Sequence, residues 1–131
     1  MNIFKFYDYI YFRLSCFFEK NGGEDRDRSV SILSVVQCLN LLVFLDLISL
    51  LLNYPINLPH FVKLLLGILI FFILNSIRYR LFKTYQDLNR LWGNEKESIR
   101  IRRGFFMILY FILSIIMSAF SGYLALSYAS K

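Results

Sequence analysis

Five polar side chains stand in stretches that are otherwise lipid-soluble: Gln37, Asn40, Asp46, Lys63 and Asn75. Asp46 raises the sharpest question. A carboxylate in hydrocarbon costs roughly 2.5–3.5 kcal/mol on insertion scales, so it needs a proton, a partner or a water path. In an antiparallel helix pair, Asp46 and Lys63 differ in depth by about 6 Å at about 1.5 Å per residue. A lysine side chain covers that gap, so an ion pair is allowed. The alternative is a Lys63 that reaches outward to the headgroups, with Asp46 protonated or facing a partner. Conduction through Asp46 is disfavoured, because a pathway needs several polar groups in line and the later apolar runs offer almost none. Gln37 and Asn40 lie one turn apart, and Asn75 falls at a depth comparable to Ser34 or Gln37. Amides at that depth bond across helices and hold bundles together.

Further along, Ser114, Ser118 and Gly122 recur at four-residue spacing, with Ser121 and Ala125 beside them. This small-residue stripe allows a close helix approach, within the chain, on a second copy or on another membrane protein. Reactive chemistry is missing. No phosphate loop, HExxH, CxxC pair or nucleophile elbow occurs, and no carboxylate pair sits with a histidine. Cys16 and Cys38 make neither a metal pattern nor a disulfide framework, although acylation of the juxtamembrane Cys16 stays open. His60, the single histidine, sits at a loop end as a solvated or capping side chain. The expectation is a protein that is no enzyme and takes no cofactor.

Positioning these residues requires membrane-spanning helices. The chain has 131 residues and is 57% hydrophobic, against roughly 45–50% for soluble domains. Three runs approach the roughly 20 residues needed to cross the hydrocarbon: about 30–52, 58–77 and 105–126. Residues 1–20 carry Asp8 and Glu19 and lack a cleavage pattern, so the first run is expected to be an uncleaved anchor.

Lys and Arg set the orientation. Lys5, Arg13, Lys20, Arg26 and Arg28 precede the first run. Arg78, Arg80, Lys83, Arg90, Lys96, Arg100, Arg102 and Arg103 fill the segment between the second and third. The loop 53–60 has none, and Lys131 alone follows the last. The N-terminus is therefore expected in the cytoplasm and the C-terminus outside. Tyr54, Tyr79, Trp92, Tyr123 and Tyr128 fall near or beyond span ends, where aromatic rings favour headgroups.

Ile3, Tyr7, Ile10, Leu14 and Phe17 form one helical stripe. That suits an amphipathic helix in the inner interface, the competing placement being a helix packed on the protein's own loop. "NGGEDRDR" is a turn that ends this first unit, 1–28, and the span domain is 29–131. Leu81, Phe82, Tyr85, Leu88 and Trp92 keep helical spacing, so the second span is expected to run on to about Trp92. "GN" breaks it, and Asn94 with Glu97 resembles a capping box for the next helix. Residues 78–103 thus form a basic cytoplasmic hairpin. Its Arg78, Arg80, Lys83, Arg100, Arg102 and Arg103 are candidate contacts for anionic headgroups, at about 1 kcal/mol each. No nucleic-acid recognition motif accompanies the charge.

The stretch "WGNEKESIRIRRGFFMILYFILS" (92–114), with an aromatic N-terminus and apolar spans, resembles small uncharacterised membrane proteins of Bacteroidota genomes. The resemblance implies a bacterial inner membrane and carries over no activity. The expectation is an all-α, three-span bundle with an interfacial N-terminal helix and a cytoplasmic helical hairpin. Its expected role is that of an accessory or scaffold protein, in a homo-oligomer or a larger membrane complex. The alternative is a self-assembling pore former, which would need Gln37, Asn40 and Asp46 to face the pore.

Overall fold

A computed structural model describes residues 2–21, 26–52 and 59–129. The rest of the expected turn at 22–25, the loop 53–58 with Tyr54, and Lys131 lie outside these, as do the side chains of His60, Ala125 and Tyr128. Among the described residues the chain is all helical. The helices are α1 (Ile3–Lys20), α2 (Arg26–Leu52), α3 (His60–Ile77), α4 (Tyr85–Trp92) and α5 (Glu97–Ala129), with a π-helical turn at Arg78–Phe82. Three stretches are long and apolar enough to cross a membrane: Arg26–Leu52, Phe61–Phe82 and Glu97–Leu124.

α2 is the hub, packing on α1, α3 and α5. The chain itself buries 28% of the most apolar window of the first stretch, but only 6% and 11% of the second and third. Leu66, Ile70 and Leu74 of α3 and Phe106, Ile115 and Phe120 of α5 are therefore turned outward. In water such a surface would aggregate, whereas hydrocarbon solvates it.

The densest packing is at the basic end. Ile10, Tyr11, Phe12, Leu14, Val30, Leu33, Tyr79 and Leu88 form one buried cluster. Burying an aliphatic or Phe side chain is worth about 1.5–3 kcal/mol. Rings add direction: Tyr11 stacks on Tyr79 with centroids 3.9 Å apart, and Tyr9 meets the edge of Trp92 at 5.4 Å. This corrects the single-stripe reading of α1. Residues Asp8 to Phe12 are buried consecutively, so burial is not confined to one stripe. α1 is packed on α2 and α4, and of the expected stripe Ile3 and Phe17 stay exposed at its ends.

The hairpin also differs from expectation. The second span does not run straight to Trp92. Its last turn widens, with the Lys83 amide bonding the Arg78 carbonyl at 2.9 Å, and the backbone leaves the helix at Lys83. Thr84 restarts it through a capping box: the Thr84 hydroxyl accepts from the Asp87 amide, and the Asp87 carboxylate accepts from the Thr84 amide at 3.2 Å. The expected Asn94–Glu97 box does not form. Glu97 is the first residue of α5, and Glu95 is drawn into other bonds.

Candidate functional site: a polar seam and a groove at the basic end

Three cross-helix links place the intramembrane polar residues. Asn75 of α3 donates from Nδ2 to Gln37 Oε1 at 2.7 Å and to Ser34 Oγ at 3.0 Å. The depth match expected between Asn75 and Ser34 or Gln37 is thus a direct contact. Asn40 donates to the Tyr110 hydroxyl of α5, which also lies 3.2 Å from the Tyr7 hydroxyl of α1. Asp46 is buried and accepts from Ser121 of α5 at 3.0 Å. No ion pair joins Asp46 to Lys63, which is half-buried on α3. Asp46 turns to α5 while Lys63 belongs to α3, so matching depth did not bring them together.

The small-residue stripe on α5 is buried only in part. Ser114 and Ser121 are the buried members. Ser118 is half-buried, its carbonyl accepting from Ser121, and a Cβ on Gly122 would meet nothing within 4 Å. The close approach that needs a glycine is at Gly67 of α3, where a Cβ would stand 2.5 Å from Cys38 Sγ.

At the basic end, five arginines are matched to acids among the described residues. Arg78 holds Asp8 through Nε and Nη2, at 3.0–3.1 Å. Glu95, whose side chain is 7% exposed, accepts from Arg13, Arg103 and the Tyr9 hydroxyl. Arg13 and Arg103 also lie over the Tyr9 ring, 5.1 and 5.4 Å from its centroid. Arg80 pairs with Asp27 at 2.9 Å, and Arg100 reaches Glu97 at 3.5 Å. Of the expected headgroup contacts, Lys83 and Arg102 are exposed and form no ion pair among the described residues.

Titration follows these contacts. Burial pushes the Tyr9 hydroxyl up. For Arg13, burial alone would lower the pKa, but its bonds to Tyr9 and Glu95 outweigh that and raise it. Burial, with bonds to Cys16 and Glu19, raises Tyr85. The Thr84 hydroxyl bond holds Asp87 below the usual carboxylate range.

Beside the seam a groove of about 550 Å³ opens between the start of α1, α2 and the basic end of α3. Gln37, Asn40, Asn75 and Arg78 supply its polar wall. Among the described residues no three His, Cys, Asp or Glu side chains converge as a metal site would require.

Asp8, Glu95 and Tyr110 were not singled out by sequence reasoning, and Ser121 was named only beside the small-residue stripe. Asp8 did carry a signal, as one acid in an aromatic-rich helix of a strongly basic chain. Thr84 carried one too, since T-x-x-D matches the capping-box spacing. Tyr110 carried none, since helix rotation alone decides which hydroxyl meets α2. No protein-family model, curated protein or solved structure matches this chain.

Proposed function

We propose that the chain is a small non-enzymatic protein of a bacterial inner membrane, an accessory or scaffold subunit that binds other membrane components. The proposed arrangement is a three-span bundle with the N-terminus cytoplasmic and the C-terminus outside. α1 and the α4 hairpin cap its cytoplasmic side. The distribution of Lys and Arg supports that orientation, and the resemblance to Bacteroidota membrane proteins supports the compartment.

One observation carries the reading. The three polar side chains deep in α2 each meet a partner inside the chain: Gln37 meets Asn75, Asn40 meets Tyr110 and Asp46 meets Ser121. That leaves the outer faces of α3 and α5 apolar and open to neighbours, and supplies no polar stripe for a pore. The test is purification of a tagged copy at native expression in mild detergent, with mass spectrometry of the proteins that accompany it. A stoichiometric membrane partner is the expected result. A homo-oligomer alone, together with collapse of membrane potential on induction, would overturn the reading in favour of a pore.

A further inference from the structure

The groove beside the seam changes character along its length. At one end stands Arg78, and Leu41, Phe44, Phe71 and Leu74 wall the remainder. From Arg78 to Phe71 is about 10 Å of helix, and so is Gln37 to Phe44 on the facing wall, at about 1.5 Å per residue. The polar end is the end where bases cluster, and the apolar end points along the spans. Such a gradient suits an amphiphile with its head at the interface and its chain in hydrocarbon.

Arg78 has capacity left for a ligand. Its Nε and Nη2 are committed to Asp8, but Nη1 makes no hydrogen bond among the described residues, and the side chain is 32% exposed. Arg78 is the one charged side chain among the described residues that line the groove, and its partner Asp8 is not among them, so the wall presents a cation and no acid. Phosphate and ester oxygens accept from such donors.

A protein helix fits less well. Phe4 and Tyr7 of α1 wall the Arg78 end, and a helix crossing the membrane here would displace them. One acyl chain is slimmer and enters from the bilayer side.

We infer that this groove binds one anionic phospholipid, with its phosphate on Arg78 and the upper part of one acyl chain between α2 and α3. The inference rests on the membrane insertion proposed above and is independent of the protein partner.

The test titrates delipidated protein in detergent micelles with phosphatidylglycerol or phosphatidylcholine and counts bound lipid by native mass spectrometry. Leu74→Trp fills the groove from a wall position that is 55% exposed, so folding is preserved; Ile115→Trp, on the outer face of α5, is the control. One phosphatidylglycerol per chain is expected, bound about fivefold tighter than phosphatidylcholine, the size of one base at a headgroup. Leu74→Trp lowers that affinity by at least as much, and Ile115→Trp leaves it unchanged. Equal binding of the two lipids, or equal behaviour of the two variants, overturns the inference. So does a lipid-free dimer that Leu74→Trp abolishes, which would assign the groove to a second copy. Lost lipid with a retained protein partner separates failure here from failure of the accessory reading.

Discussion

The two ends of the molecule are built on different physics. At the basic end, α1, α4 and the start of α2 enclose a core of rings and aliphatic side chains, bound by the Asp8–Arg78 pair and by Glu95 with its two arginines. Towards the other end, α2 meets α3 and α5 through small contacts, Cys38 over Gly67 and Asp46 with Ser121, while large apolar side chains face outward. The first is assembled like the interior of a soluble domain. The second leaves apolar burial to lipid and spends its few polar groups on helix pairing. Stability should therefore be concentrated at the basic end.

The strongest way to break that contrast is Glu95→Ala. It leaves Arg13 and Arg103, both beside the Tyr9 ring, without their carboxylate, and should cost about 3 kcal/mol, read as a fall in the melting temperature in mild detergent. Glu95→Gln, which keeps the acceptor, should cost less. A loss from Glu95→Ala no larger than that of a substitution at the other end would erase the contrast.

Gly67→Ala comes next. The added methyl collides with a fully buried Cys38 side chain, and overpacking should cost about 1–3 kcal/mol in the same melt. Gly122→Ala, in open space, should leave the melt unchanged, and equal effects would show that the α2–α3 contact is no tighter than the face around Gly122.

Thr84→Ala removes the cap of α4 and should cost about 1 kcal/mol. The same box carries a pH signature. Asp87 is depressed when folded, so its contribution is present above the unfolded carboxylate pKa and is lost as pH falls through the folded one. Amide protection factors in 85–92, corrected for the intrinsic pH dependence of exchange, should therefore fall in acid in the parent protein, and far less in Thr84→Ala. A parent protein indifferent to acid would show that the carboxylate does not hold α4.

The smallest effect expected is a coupling. Because Asp46 bonds Ser121 rather than Lys63, Asp46→Asn and Lys63→Gln should add within about 0.3–0.5 kcal/mol in thermal stability. A larger coupling would mean that the two charges meet after all. Asp46→Asn with Ser121→Ala should instead be non-additive.

Much of the membrane architecture was legible in the chain. The three apolar runs match the spanning stretches to within a few residues except at the start of the third, and Asn75 found Gln37 because shared depth, for two neighbouring antiparallel helices, is nearly enough. Depth failed for Asp46 because it says nothing of azimuth: rotated towards α5, the carboxylate reaches Ser121. The straight extension to Trp92 failed because its apolar spacing survives a break, while Thr84 and Asp87 offered a cheaper restart. α1 could not be resolved by its stripe, since Tyr9, Tyr11 and Phe12 lie off it and are buried only because α2 and α4 close around them.

The sequence by itself determined that the chain is helical and apolar over three membrane-length stretches, and that its bases gather on one side. Hydropathy and charge are sums along a chain, and sums need no coordinates. Only the tertiary structure decided which polar groups meet, that the middle of α1 is buried in protein, and that Arg78 keeps one donor pair free at a groove. Those depend on the rotation and tilt of each helix against its neighbours, which packing sets and spacing does not encode.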